Sequence, residues 1–408
     1  MNPELQFKSL KPNYKMNIHK TVSENLGFKL VAFAFTITMF GSTLPTPLYV
    51  LYQKKLGFAT FTSSIIFSAY SIGVLVALVI LGRLSDTIGR RPTLLLGLLF
   101  STLSSIVFLY ANSLSFLIVG RILSGLSAGV FTGTASATIV DLNKNQNSEK
   151  ATLVATMANM GGLGLGPLVA GSLAQLTPGP LHIPFVIHLS LLVISIISIN
   201  LIPETVENFK HTPFRVSKLI LPQSVREVFF QNVTPGFAGF AVMGLFTAIA
   251  PLFLSGILGH TEPVLSGTLA STLFIGSLFG QLTLTNRFGK RAMPIGCGIL
   301  IAGMVFLGSS LRIESIFLIL MSGIISGVGQ GVIFRAGLAS VNQVTLAKDR
   351  AGVVSSFFFI MYLAISIPIL GVGFFANFVG LAKAGISFSI IIALLCSGIL
   401  LRYRKIDY

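Results

Sequence analysis

The sequence predicts an all-α membrane protein of twelve transmembrane helices in two six-helix, pseudo-symmetric halves, and three observations carry that expectation. Across 408 residues only 10% are charged and 53% are hydrophobic, with a mean hydropathy of +0.87. A soluble domain carries about 25% charged residues, so a water-facing exterior would leave large apolar patches. The apolar residues also gather into runs that can cross about 30 Å of hydrocarbon, which needs about 20 helical residues. Finally, the second half of the chain echoes the first at an offset of about 200 residues.

In order along the chain, residues 1–28 are polar and basic and read as a cytoplasmic tail, with Met16 as an alternative start. The first apolar run, 30–52, is too long and too plainly followed by others for a cleaved signal peptide. Runs at 63–81, 93–111, 114–140, 152–174 and 184–202 complete a first half spanning 29–202. The longest polar stretch between spans, 203–228, holds prolines, charges and an amphipathic piece around 216–230, and reads as a central cytoplasmic loop. Runs at 229–257, 264–285, 292–310, 315–342, 353–376 and 381–401 form the second half, 229–401, before a short tail at 402–408.

The net charge of +16 invites a nucleic-acid reading, but the basic residues sit in short clusters between apolar runs and form no continuous face. They fit orientation instead. With the N-terminus inside, the cytoplasmic loops hold Arg83, Arg90 and Arg91, then Lys144 and Lys150, then Lys210, Arg215, Lys218 and Arg226. The second half continues with Arg287, Lys290 and Arg291, then Lys348 and Arg350, then Arg402, Arg404 and Lys405. Only Lys54, Lys55, Arg312 and Lys383 fall outside, a bias that places both termini in the cytoplasm of a multi-pass plasma (inner) membrane protein. Cys297 and Cys396 lie inside apolar runs and read as small core residues, with no disulfide framework and no metal site.

The internal repeat is specific. Asn286 to Arg291 after the eighth run mirrors Asp86 to Arg91 after the second, Ser326-Gly327-Val328 echoes Ser124-Gly125-Leu126, and Asp349-Arg350-Ala351 answers Glu149-Lys150-Ala151. Parallel six-helix halves are a known transporter layout, with the substrate site between them near the midplane. Here the chain resembles the major facilitator superfamily from Leu30 to Leu401. The most specific element is the loop from Gly82 through Asp86 and Gly89 to Arg90 and Arg91, which matches the family's signature between helices two and three. The resemblance implies that this loop latches the halves on the cytoplasmic side, with Gly82 allowing close approach, Gly89 a tight turn and Asp86 supplying a carboxylate. The plainer alternative is a solvated loop whose arginines enforce topology.

Gly162, Gly166, Pro167 and Gly171 in the fifth run are similar to the signature that marks drug and metabolite exporters exchanging substrate for protons, the branch this chain resembles. Their residue types alone indicate tight packing beside a proline that removes a backbone donor. Arg121 resembles the family's fourth-helix arginine, often linked to proton coupling; a cation at bilayer depth costs about 2.5 to 3.5 kcal/mol on insertion scales and should face the interior or a wet cavity unless it snorkels. Arg335 is deeper in its run and reads as a substrate or gate charge, against an interhelical structural role.

All twelve acidic residues lie in tails, loops or span ends, with Asp141 at the inner end of the fourth run. With cationic mid-span charges only, anionic, zwitterionic or neutral amphiphilic compounds are easier to accommodate than lipophilic cations. Proton coupling then falls to Arg121, Asp141 or His188, the last titrating near working pH unless it is a packed hydrogen-bonding residue. In such families helix one lines the cavity, so Tyr49, Tyr70, Asn159, Gln330 and Tyr362 are candidate lining, against interfacial anchoring for Tyr49 and interhelical bonding for Asn159 and Gln330.

The expected function is secondary active transport by alternating access, as proton-coupled export of a small amphiphilic, anionic or zwitterionic compound. The rivals are proton-linked uptake or facilitated diffusion of an anionic metabolite and, from another class, a transport-inactive membrane sensor. No metal-ligand spacing, nucleophile motif or phosphate-binding Gly-Lys loop appears, so neither an enzyme nor a cofactor is expected. Expected partners are a small-molecule substrate, protons and the lipid bilayer, with the chain a monomer.

Overall fold

Ser23 opens the first helix: its Oγ accepts from the Leu26 amide at 3.4 Å, and Glu24 follows in the first turn, where a carboxylate complements the helix dipole. The computed structural model describes residues 22–82, 84–143, 148–206, 219–346 and 348–406. The N-terminal tail through residue 21, including Met16, lies outside the described residues, as do Arg83, Lys144, Lys210, Arg215, Lys218 and the front of the expected amphipathic piece.

Among the described residues twelve helices are long and apolar enough to span a membrane: α1 Glu24–Leu56, α2 Thr60–Leu81, α3 Arg90–Leu109, α4 Leu114–Asp141, α5 Glu149–Leu176, α6 Ile183–Leu201, α7 Gln223–Ala248, α8 Pro263–Phe288, α9 Ala292–Ile313, α10 Ile316–Val344, α11 Arg350–Val379 and α12 Leu381–Tyr403. No strand occurs among them. Prolines explain the interruptions. Pro45 and Pro47 turn α1 into a 3-10 segment at Thr46–Leu48, because a proline cannot donate to the helical ladder. The run expected as one span at 229–257 breaks at Ile249, and a short helix, Ala250–Gly256, restarts with Pro251 in its first turn, where the missing N–H costs nothing. α2 ends in a π-helical stretch, Ala77–Leu81, and α8 carries one at Gly280–Leu284, just before its last turn. Such bulges are frequent at functional sites.

The repeat survives as packing. A Cβ on Gly125 of α4 would collide with the Tyr70 carbonyl of α2, and one on Gly327 of α10 with the Leu273 carbonyl of α8. The same small residue thus lets the second and fourth helix of each half touch backbone to backbone.

An even number of crossings puts Glu24 and Tyr403 on one face, here the terminal face, with the Val22 amide bonded to the Leu201 carbonyl at 3.0 Å. The buried apolar side chains form two clusters. One stays inside α1–α6 near the terminal face, around Phe35, Phe131, Leu192 and Ile199. The other fills α7–α12 and continues into the opposite end of the first half, through Tyr49, Phe67, Phe108 and Phe185. Apolar packing therefore joins the halves at the opposite face and leaves them parted at the terminal face.

Candidate functional site

The parting is a cavity. Deep between the halves lies a chamber of about 60 Å³, lined from the first half by Ser42, Thr43, Phe67, Tyr70, Arg121, Asn159 and Met160 and from the second by Phe240, Met243, Phe274, Phe334, Phe358 and Tyr362. It shares Thr132, Asn159, Met160, Phe334, Phe358 and Tyr362 with a vestibule of about 370 Å³ that runs past Ser136, Thr152 and Gln281 to Gly82 and Val140 on the terminal face. Its polar groups come mainly from α1, α2, α4 and α5 and its aromatic rings mainly from α7, α8, α10 and α11.

Arg121 is the largest fully buried side chain, 1% exposed. It does not snorkel. Its Nε donates to the Tyr49 hydroxyl and its Nη1 to the Ser42 carbonyl at 2.7 Å. That carbonyl belongs to α1 just before the 3-10 break. The rings of Tyr49, Phe67 and Tyr70 stand 5.0, 5.7 and 6.0 Å from the guanidinium carbon, within cation–π range. Nη2 is buried without a partner, and no carboxylate pairs with Arg121 among the described residues.

Of the expected lining, Tyr70, Asn159 and Tyr362 reach the chamber wall. Tyr49 does not; it stands behind the wall, fully buried, holding Arg121. Gln330 is also withdrawn: its Oε1 accepts from Ser277 at 2.6 Å, and Gln281 donates to the same hydroxyl at 3.0 Å, tying α8 to α10. The expectation of a substrate or gate charge at Arg335 meets a different arrangement. Its Nη1 donates to the Gln281 carbonyl at 2.5 Å, inside the π-helical stretch of α8, where a widened ladder leaves a carbonyl to be satisfied. His188 lies away from both cavities. Its Nδ1 meets Ser105 Oγ at 2.7 Å and its Nε2 donates to the Ile37 carbonyl at 3.1 Å. Both nitrogens are engaged within the first half, which is the packed-residue arrangement.

The terminal-face loop is a first-half network. Gly89 has φ +101°, the turn that only glycine takes easily, and α3 starts at the next residue. Arg90 donates from Nη1 to Ser85 at 2.6 Å and Asp86 at 3.2 Å, and from Nε to Asp141 at 3.3 Å. Arg91 reaches Asn200 at 3.2 Å. The Glu204 carboxylate accepts from the backbone amides of Arg90 and Arg91 at 2.9 and 3.0 Å, capping α3 from across the half. Glu204 was not singled out by sequence, because a cap supplied from beyond α6 leaves no local pattern. No hydrogen bond or ion pair among the described residues links Asp86, Arg90 or Arg91 to the second half.

The opposite face is sealed by α5 on α8 and α2 on α11. Gly162 and Gly166 press α5 onto α1, where a Cβ would strike the Thr36 and Phe40 carbonyls. Gly171 meets the Pro263 carbonyl of α8, and the Pro167 carbonyl in turn abuts Gly267. Pro167 cannot donate to the Leu163 carbonyl, and the Thr43 hydroxyl of α1 does so instead at 2.8 Å. One residue on, the Gly164 carbonyl accepts from Ser271 of α8 at 2.6 Å. Gln175 accepts from the Val264 amide at 3.3 Å, and Phe61 packs edge-on against Phe374, ring centres 5.9 Å apart.

Comparisons with known proteins agree with this architecture. The chain is 26% identical over 60% of its length to "Efflux pump azaK" of Aspergillus niger, covering 54% of that protein, so it spans about half of this relative. It is 28% identical to "Multidrug transporter MdfA" of Yersinia pestis over 68% of each chain. A bacterial homologue of the human lysosomal transporter Spinster shares the fold at a TM-score of 0.73 and 14% identity, over 93% of this chain and 97% of that one. Residues 31–367 match the sequence model of the Major Facilitator Superfamily. With twelve helices, a repeated half and the loop signature in place, the chain belongs to the Major Facilitator Superfamily.

Proposed function

We propose that the chain is a secondary active transporter that exports a small amphiphilic, anionic or zwitterionic compound in exchange for protons. The observation that carries this reading is the chamber between the halves, reached from the terminal face and closed at the other by α5 on α8. The basic loops make the terminal face cytoplasmic, so the cavity faces the cell interior, from which an exporter loads. Two relatives bear the names efflux pump and multidrug transporter, and of the Gly162, Gly166, Pro167 and Gly171 pattern of exporters the last two sit at the closed interface with α8 while the first two pack α5 on α1. Export then requires the seal at α5 and α8 to open while Asp86, Arg90 and Arg91 engage the second half. The coupling proton is assigned to the surroundings of Arg121 and to Asp141 rather than to His188. The transporter works as a monomer in the plasma (inner) membrane, with both termini cytoplasmic.

Everted membrane vesicles with an acid lumen test this. Substrate should accumulate in the lumen and leak back when an uncoupler is added. Accumulation that ignores the uncoupler would turn the reading to facilitated diffusion. A transport-inactive sensor would keep a cysteine introduced at Ser136 reactive from one side throughout, whereas alternating access hides it in turn.

A further inference from the structure

Among the described residues, Arg121 is the charged side chain that leaves a buried nitrogen without a partner. Burial of a guanidinium is costly unless every donor finds a partner. Two of its nitrogens are taken by α1, and the aromatic rings cover it without accepting an N–H in the plane. Nη2 is left over in a side chain that forms part of the chamber wall. A molecule bound in the chamber can supply the acceptor that completes it.

The walls say what else that molecule carries. Ser42, Thr43 and Asn159 flank the Arg121 side, whereas Phe240, Phe334 and Phe358 face it from the second half. Phe334 lies 5.3 Å from Phe240 and 5.9 Å from Phe358 between ring centres, so the three rings form one continuous apolar surface. A ligand with a charged head and a single flat or flexible apolar body matches both sides. One unpaired cation compensates one negative charge. A dianionic head would bring a second charge that nothing in the chamber balances, since Arg335 is bound to Gln281 on α8 and lines neither cavity. A ligand cation would be repelled by Arg121, and a neutral head would leave its charge unpaired.

We infer that the chamber is a subsite for amphiphilic monocarboxylates, the carboxylate held by Nη2 of Arg121 in the first half and the apolar body laid on the phenylalanine surface of the second. This deepens the transport reading and rests on it for the direction of movement only. Bound in this way, one molecule touches both halves and couples its occupancy to their relative position.

The chain contains no tryptophan, so Phe358→Trp introduces a single indole reporter on the apolar surface. In the purified full chain carrying this reporter, para-nitrophenylacetic acid should quench emission saturably. It should bind about tenfold more tightly than para-nitrobenzyl alcohol, the scale of one charge-assisted hydrogen bond, while para-nitrobenzylamine should not compete. Adding Arg121→Lys, which keeps the charge and removes Nη2, should weaken the acid about tenfold with the ligand-free emission maximum unmoved. Should Arg121→Lys shift that maximum, Tyr49→Phe serves as the second variant: it frees Nε and should change acid affinity but not alcohol affinity. Equal binding of acid and amine, tighter binding of para-nitrobenzylphosphonic acid, or unchanged acid affinity in both variants would overturn the subsite. Proteoliposomes separate the two claims. Saturable acid binding without any movement of the acid leaves the subsite standing and removes transport, whereas proton-driven export of a cationic compound without acid binding does the reverse.

Discussion

The Thr43 hydroxyl donates to the Leu163 carbonyl at 2.8 Å, the acceptor four residues before Pro167 that α5 itself cannot satisfy. The bend-prone turn of α5 is therefore completed by α1 of the same half. An interhelical hydrogen bond in a membrane protein is worth on average about 0.6 kcal/mol and at most about 1.7. Thr43→Val should lower stability by an amount in that range in a micellar unfolding titration. In a Pro167→Ala background the new amide serves Leu163, and the cost of Thr43→Val should fall toward zero. Equal costs in both backgrounds would sever Thr43 from the proline.

Ser271 makes the corresponding bond across the halves, to the Gly164 carbonyl at 2.6 Å. Removing it should bias the protein away from the closed opposite face more than it destabilises either half. Spin labels at Thr177 and Glu262 should report a longer-distance population in Ser271→Ala than in the wild type. An unaltered distance distribution would show that glycine packing alone holds the seal.

Glu204 caps α3 with two backbone contacts and a negative charge at the helix start. Glu204→Ala should cost about 1 to 2 kcal/mol and speed amide exchange at the first turn of α3. Glu204→Gln keeps one acceptor and should cost roughly half as much. Exchange that is unchanged at Arg90 and Arg91 would mean that water substitutes for the carboxylate.

Asp86 is exposed and its ion pair with Arg90 is a surface one, 66% exposed on the Asp86 side. Such pairs contribute about 0 to 1 kcal/mol, so Asp86→Asn should leave insertion and thermal stability nearly unaltered. Transport by the purified variant should nevertheless slow if the loop engages the second half in the outward state. Wild-type rates would remove the latch.

His188→Ala leaves a hole among Ile37, Phe40 and Ser105 and should destabilise the first half by about 2 to 4 kcal/mol, as large-to-small changes in packed interiors do. The pH profile of transport should not move, because the imidazole reaches neither cavity. A shifted profile at preserved stability would return His188 to the coupling machinery.

Span number and the repeat were legible because both are written in residue type: a bilayer demands apolar length, and close packing demands glycine. Boundaries were less so. α7 begins at Gln223 rather than near 229, since a polar first turn continues a helix past its apolar stretch. Tyr49 is expected in the cavity lining because helix one lines the cavity in the family the chain resembles, yet the α1 break turns it toward Arg121. The Ser277, Gln281 and Gln330 cluster was seen only through Gln330, because hydroxyls and amides signal partners without naming them. Insertion cost alone leaves Arg121 either interior or snorkelling, and which of its nitrogens stays free depends on the path of α1, which no spacing encodes.

The two ends of the molecule respond to different physical variables. Across the opposite face the halves are joined by glycine against carbonyl and by edge-on rings, contacts indifferent to dissolved electrolyte. The terminal face carries carboxylates and guanidinia partly open to water, whose attraction fades over a Debye length of about 8 Å at physiological ionic strength. Bath salinity should thus tune one end of the cycle, and lateral compression by the surrounding lipid the other, giving two independent handles on a single rocking motion.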